Sequence, residues 1–111
     1  MKKLTTHVLD TANGKPGANI KVELFLLDGD SRTLLKTTTT NSDGRTDAPL
    51  LDEAEFALGQ YELVFHIAEY FQLAEDAFLT CVPLRFSMNE AAHYHVPLLC
   101  SPWSYSTYRG S

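Results

Sequence analysis

The 111-residue sequence predicts an all-β protein, a sandwich of about eight short strands with one short helix. Apolar and polar residues alternate with period two over most of the chain, which is the pattern of half-buried strands. Turn signals rich in Gly, Pro, Asn and Asp recur roughly every 8–12 residues, the spacing typical of a sandwich. The length suits one domain, residues 1–111, and is sufficient to bury a hydrophobic core.

Three strands are predicted in the first half of the chain, over residues 4–9, 20–26 and 34–40. Gly-containing turns follow them, at 10–17, 28–30 and 41–44, and Gly at such positions supplies the backbone freedom that a turn needs. Successive side chains of a strand point to opposite sides. In the first strand, one face therefore holds Leu4, Thr6 and Val8, and the other holds Thr5, His7 and Leu9.

The second half of the chain begins with an acidic, irregular segment, 49–59, which fits an edge strand or a helical turn. Alternation returns at 61–67 and again at 82–88, and predicts two further strands. Between them, residues 69–76 contain helix formers and no β-branched residue, and so predict the helix, about two turns long. Two terminal strands follow, joined by a tight turn at Ser101-Pro102.

Composition argues against two classes of partner. The formal net charge is −5 and no stretch concentrates Lys and Arg, so a nucleic-acid partner is not expected. No apolar run approaches a membrane span, and none of signal-peptide length follows Met1-Lys2-Lys3, so we expect a cytoplasmic protein without a membrane partner. Cys81 and Cys100 are expected to be buried or idle thiols and not a disulfide.

Two histidines of the first terminal strand, His93 and His95, point to the same side because they are two residues apart. Two imidazoles there could bind Zn or Cu, but the sequence offers no obvious third ligand, and a lone His-x-His is weak evidence for metal. A solvated strand face is the plain alternative. We expect no metal site.

Other residues suggest a surface that a second subunit covers. His7 lies beside apolar Leu9 on the outward face of the first strand. The strand that carries His95 has no purely polar face, which predicts an oligomer. Arg45, directly after a turn, would be a fixed cation for an anionic or carbonyl-rich ligand. The residues alone thus indicate a possible site for a small polar anion.

Several sequence blocks resemble those of the transthyretin-related 5-hydroxyisourate hydrolases, enzymes of urate degradation: residues 7–10 (HVLD) with 14–16 (GKP), 41–45 (NSDGR), 93–99 (HYHVPLL) and 105–111 (YSTYRGS). The likeness runs from the first strand to the last residue. It implies a two-sheet prealbumin-type sandwich and a homotetramer, a dimer of dimers with active sites in the channel between the dimers. It implies no cofactor and no metal.

The resemblance also implies the reaction, hydrolysis of the ring amide of 5-hydroxyisourate to 2-oxo-4-hydroxy-4-carboxy-5-ureidoimidazoline. Either histidine of the site would deprotonate water, and the choice between them stays open. An arginine would hold the polarised oxygen, a tyrosine would contact the heterocycle, and the last residue would align the water or a histidine. The implied catalytic residues are His7, Arg45, His95 and Ser111, and the implied substrate-binding residues are His7, Arg45, Tyr108 and Arg109.

A carrier of small aromatic ligands, of the transthyretin type, is the alternative function in the same channel. The resemblance argues against it, because transthyretin has a lysine where His7 stands and a glutamate where Arg45 stands. It also has threonines in place of His95 and Tyr108, and it lacks a counterpart of Ser111. These substitutions fall on the residues best suited to chemistry, so the sequence favours an enzyme.

Overall fold

Two layers of β-structure form the fold in the computed structural model, which describes residues 1–110. Ser111 lies outside the described residues. The strands and the helix are β1 (Lys3–Thr5), β2 (Val8–Asp10), β3 (Lys15–Pro16), β4 (Lys21–Asp28), β5 (Ser31–Thr39), β6 (Gly59–Phe65), α1 (Ile67–Phe71), β7 (Val82–Met88), β8 (His93–His95), β9 (Leu98–Cys100) and β10 (Tyr105–Thr107).

One layer is an antiparallel sheet in the order β5-β4-β6-β7. The other layer has the order β10-β9-β2-β3 and continues into the parallel pair β1-β8. Two backbone hydrogen bonds join its two parts, from Val96 N to the Thr5 carbonyl at 3.0 Å and from Leu98 N to the His7 carbonyl at 2.9 Å. The chain segments 3–10 and 93–100 therefore run side by side in parallel, and this pairing positions the site.

The core lies between the layers and confirms the predicted alternation. Leu4 and Val8 are buried from one layer, and the neighbouring outward positions Thr5, His7 and Leu9 are not. Burial of apolar side chains on one face of each strand fixes the register, because a shift by one residue would turn every core side chain toward solvent. Core residues from the facing sheet include Val22, Leu24, Leu63, Phe65 and Leu84.

The strands are more broken than the sequence predicts. The first predicted strand is interrupted at Thr6–His7, and the first terminal strand is interrupted at Val96-Pro97, where proline has no N–H for a ladder. The short strand β3 lies within the segment predicted as a turn. The all-β sandwich with one short helix is confirmed, and the described residues form ten short strands, not about eight.

The predicted helix is present, but it starts and ends earlier than predicted. It spans Ile67–Phe71 and not 69–76, and strand β6 ends at Phe65. Gln72 adopts the left-handed conformation, with φ 56° and ψ 47°, which ends the helix before the remaining helix formers. Burial of Ile67 and a 2.6 Å hydrogen bond from the Tyr70 hydroxyl to Asp10 Oδ2 anchor it, so tertiary contacts outweigh propensity here.

The two cysteines are free thiols, as predicted. Cys81 is exposed and Cys100 is buried. Burial, followed by the nearby Asp10 carboxylate, raises the pKa of the Cys100 thiol to about 11. Within residues 1–110, no helix is long and apolar enough to cross a membrane.

Candidate active site

His7 lies at the break between β1 and β2, on the outward face of its segment. Its carbonyl accepts a hydrogen bond from Leu98 N at 2.9 Å, so the backbone at this position is fixed by the neighbouring segment. The flanking residues Thr6 and Val8 are buried. The alternation that buries them turns the His7 side chain outward.

His95 lies beside His7 because β1 and β8 are parallel and in register, with Thr5 opposite His95. His7 Nδ1 and His95 Nε2 are 2.7 Å apart, a hydrogen bond in which one ring donates and the other accepts. The two rings are stacked, with centroids 4.9 Å apart and an interplanar angle of 21°. The sequence placed both residues on outward faces, and the parallel register brings them into contact.

Arg45 reaches the same place through the turn that precedes it. Asn41 Oδ1 accepts hydrogen bonds from Asp43 N at 2.9 Å and Arg45 N at 3.2 Å, which closes the turn as an Asx motif. Gly44 has φ +74°, and its carbonyl accepts a 2.8 Å hydrogen bond from Val8 N. His7 and Arg45 consequently form an antiparallel bridge, with the guanidinium on an exposed residue.

The C-terminal segment returns to His95. Gly110 N donates a hydrogen bond to the His95 carbonyl at 2.8 Å. A Cβ atom at Gly110 would lie 2.8 Å from His95 Cδ2, so glycine is required for this close approach. Tyr108, two residues earlier, is 56% exposed and faces the same open cavity.

These groups line an open cavity of about 570 Å³. This volume is in the range of small-molecule sites. The cavity lining includes four residues that the sequence predicts for the site, His7, Arg45, His95 and Tyr108. It also includes Lys3, Thr5 and Asp47, which were not predicted for the site, and His93, which the sequence offered only as a candidate metal ligand. Of the three residues that were not predicted, Thr5 had the clearest signal in the sequence, because it shares the outward face of His7.

Arg109 does not line this cavity. Its guanidinium lies 4.4 Å from the centre of the Tyr94 ring and 3.2 Å from Glu90 Oε1, and it borders a separate cavity formed largely by β7. The described protomer therefore does not bring Arg109 together with His7 and His95. Ser111, the remaining predicted residue, lies outside the described residues.

Burial, and after it neighbouring charge, favours the neutral forms of His7 and His95. Burial, and after it the charge of Arg45, lowers the pKa of His7. Burial also lowers the pKa of His95, to about 4, with smaller contributions from His7, Arg45 and His93. A neutral imidazole has a lone pair that can accept a proton, and an unprotonated pair beside a fixed cation is suited to acid–base chemistry on a polar substrate.

Within residues 1–110, no group of three His, Cys, Asp or Glu side chains is arranged to hold a metal ion. His93 Nε2 and His95 Nδ1 are instead each 2.7 Å from the hydroxyl oxygen of Thr5. Nitrogens held in this way are occupied by hydrogen bonds in the described arrangement. The expectation of a metal-free site stays a prediction.

Comparison with known proteins identifies the family. Residues 4–110 match the model of the HIUase/Transthyretin family. A relative from Mesorhizobium japonicum, named 5-hydroxyisourate hydrolase, is 60% identical over 98% of this chain and 92% of its own length. The solved structure of Klebsiella pneumoniae 5-hydroxyisourate hydrolase is 32% identical with a TM-score of 0.83, and all of both chains is covered.

A further solved structure, an (S)-allantoin synthase, is 45% identical with a TM-score of 0.90 over 98% of this chain. This chain spans 43% of that longer one. The likeness covers both layers of the sandwich and the segments that carry His7, Arg45 and His95. The chain therefore belongs to the HIUase/Transthyretin family.

Proposed function

We propose that this protein hydrolyses 5-hydroxyisourate by adding water to a ring amide, with His7 as the general base. The observation that carries the proposal is the hydrogen-bonded pair of neutral imidazoles, His7 and His95, beside Arg45 in an open cavity. The name of the Mesorhizobium relative and that of the Klebsiella structure support the same activity.

The contacts of the two rings favour His7 as the base. His95 has both nitrogens occupied, Nδ1 by Thr5 and Nε2 by His7, each at 2.7 Å. Among the described residues, His7 Nε2 has no hydrogen-bond partner, and His7 lines the cavity. Nε2 of His7 is therefore the nitrogen that can take a proton from a bound water as its oxygen attacks the carbonyl carbon.

Arg45 and Tyr108 would orient the substrate. The guanidinium of Arg45 is a planar, permanently charged donor, and it would stabilise the negative charge that develops on the carbonyl oxygen after attack. The exposed ring of Tyr108 offers a face or a hydroxyl to the flat heterocycle. Ser111 would align the water or a histidine. To bind substrate, the Arg109 side chain would have to leave Glu90, which would require a contact with the substrate or with another subunit.

We also propose a homotetramer whose subunits meet over this face. Leu9, Tyr105 and Tyr108 are exposed at 36%, 44% and 56%, and all belong to the segments that form or adjoin the site. Apolar side chains in such a group are typical of a subunit interface. Light scattering at micromolar concentration is expected to give four times the mass of one chain, and a monomer would contradict the shared-channel proposal.

The activity is tested with freshly prepared 5-hydroxyisourate, whose loss is followed rapidly because it decays spontaneously. We expect the protein to accelerate the loss strongly, with and without a chelator, because acid–base roles account for the histidines. Activity lost on chelation and restored by Zn would support a metal site at His93 and His95. Tight binding of the heterocycle without turnover would favour the carrier alternative.

Gly110→Ala is predicted to impair catalysis more than folding. The added methyl would lie against the His95 ring and displace it from His7. A misplacement of about 1 Å in a catalytic group can cost about 10²-fold in rate. We therefore expect kcat to fall by about this factor, while the thermal midpoint changes little because the core lies upstream of this residue. Steady-state kinetics and a thermal melt measure the two effects.

Gly29→Ala is the matched control. Gly29 lies in the exposed turn between β4 and β5 with φ +58° and no atom within 4 Å of an added Cβ. Alanine at this position strains the turn, so stability is expected to fall while kcat stays at the wild-type value. Wild-type kcat in Gly110→Ala would show that the close approach of Gly110 to His95 does not position the ring.

A further inference from the structure

The hydrogen bonds of the site extend beyond the His7–His95 pair. Thr5 Oγ1 lies 2.7 Å from His95 Nδ1 and 2.7 Å from His93 Nε2. Together with the 2.7 Å contact between His95 Nε2 and His7 Nδ1, these contacts form one continuous chain of four side chains. It runs from the nitrogen that would meet the water to the imidazole of His93, which also lines the cavity.

The backbone explains why the chain is continuous. β1 and β8 are parallel and in register, with Lys3 opposite His93 and Thr5 opposite His95. Residues two apart on a strand share a face, so the Thr5 hydroxyl lies on the same side as both imidazoles. Buried Leu4 and Tyr94 hold the two strands from the core side. The three short distances are thus set by the sheet.

We propose that Thr5 is a positioning residue, and that with His93 it completes a proton relay that serves His7 through His95. The inference rests on the proposed hydrolysis, and it adds two residues to it. Neither touches the substrate in this scheme. Thr5 orients the His95 ring and passes a proton, and His93 holds that proton during the reaction.

Each group in the relay gives up one proton as it receives another, until the last group, His93, keeps the proton. Before attack, His7 and His95 carry hydrogen on Nδ1, and the Thr5 hydroxyl donates to His93 Nε2. Water gives its proton to His7 Nε2 as its oxygen bonds to the carbonyl carbon. His7 Nδ1–H then passes to His95 Nε2, His95 Nδ1–H to Thr5, and the Thr5 hydroxyl proton to His93, which becomes an imidazolium.

The second half of the reaction reverses every transfer. When the ring C–N bond breaks, the leaving nitrogen takes the proton from His7 Nε2. His7 Nδ1 recovers a proton from His95, His95 from Thr5, and Thr5 from His93. The site returns to its starting tautomers. The oxygen and one hydrogen of the water are now in the new carboxyl group, and the other hydrogen is on the leaving nitrogen.

His93 ends the hydrogen-bonded chain and is less deeply buried than His95, so its protonated form is easier to solvate. Burial, and after it the neighbouring His7, Arg45 and His93, lowers the pKa of His95 to about 4. Burial, and after it the charges of Lys3 and the N-terminus, lowers the pKa of His93 too. Asp47 is an acidic group that lines the same cavity. A proton shared over this chain therefore resides on His93 more readily than on His95.

The variants Thr5→Val and Thr5→Ser separate the effect of the Thr5 hydroxyl from that of the shape of the side chain. Valine keeps the branched side chain and loses the proton path, while serine keeps the hydroxyl. We expect Thr5→Val to lower kcat by roughly 10- to 100-fold, a part of what a complete general base contributes, with KM nearly unchanged. Thr5→Ser is expected to recover most of kcat. Equal kcat values in the wild type and Thr5→Val would overturn the relay.

A double-mutant cycle with His93→Phe tests whether the two residues act together. Phenylalanine keeps a ring and removes the proton holder. If both residues serve one relay, the double variant loses no more kcat than either single variant, because effects within one unit are not additive. Losses that multiply would show two independent structural roles and would contradict the proposal.

Nitrogen-15 NMR of the imidazoles supplies a measurement that does not depend on turnover. In the wild type, protonation of His93 is expected to change the tautomer of His95, and Thr5→Val is expected to remove this coupling. Identical titration curves in both proteins would overturn the relay even if the protein is an active hydrolase. An inactive wild type with coupled titration would instead contradict the proposed hydrolysis alone.

Discussion

Replacing His7 with asparagine is expected to lower kcat/KM for 5-hydroxyisourate by about 10²- to 10⁴-fold, the contribution typical of a positioned general base. Asparagine still offers a hydrogen bond toward His95 Nε2 but has no group that accepts a proton near pH 7. The fold should persist, because His7 points outward and its backbone bond to Leu98 does not involve the side chain. Kinetics and a thermal melt of the purified variant measure both effects.

His66→Asn is the matched control for this substitution. His66 lies at the end of β6 in the other sheet, and its Nε2 is 2.6 Å from Glu23 Oε1. This half-buried pair lies away from the cavity, so its loss should affect stability modestly, and kcat/KM should equal that of the wild type. An active His7→Asn protein would assign the base to His95, and the His7 ring would then only orient it.

Much of this site was accessible from sequence because strand alternation is a local property. The alternation at residues 4–9 correctly turned Leu4 and Val8 inward and His7 outward. The Asn-Ser-Asp-Gly turn correctly preceded Arg45, since each residue of that turn has a local conformational preference. These predictions required no knowledge of which strands pair.

The parts that were not predicted depend on pairing between distant segments. The contact of His7 with His95 requires parallel pairing across 88 residues, and nothing in the alternation of either strand specifies its partner or register. Thr5 was overlooked for the same reason, because its hydrogen bonds to His93 and His95 exist only once β1 and β8 are paired. The helix was shifted because Gln72 adopts a left-handed conformation that helix propensity does not anticipate.

Arg45 is expected to act in two ways that substitutions can separate. Its planar donors would bind the developing oxyanion, and its charge contributes, after burial, to the lowered pKa of His7. Arg45→Lys keeps the charge and loses the planar fork. Arg45→Met loses both while keeping a long side chain. Because Arg45 is exposed after a turn, neither change should alter folding.

The fall of kcat/KM at low pH, which is the acid limb of the pH–rate profile, distinguishes these roles. A base with a lowered pKa stays active as the pH falls below about 6.5, the ordinary histidine value, and loses activity only when the pH passes its own pKa. In Arg45→Lys, kcat/KM should fall about 10- to 100-fold with the acid limb unmoved. In Arg45→Met, it should fall about 10²- to 10³-fold and the limb should move to higher pH. The limb should still lie below about pH 6.5, because burial, the larger cause of the lowered pKa, remains.

A full pH profile of kcat/KM for the wild type and the two variants measures these effects. An acid limb at the same pH in all three proteins would show that the Arg45 charge does not tune the pKa of the base.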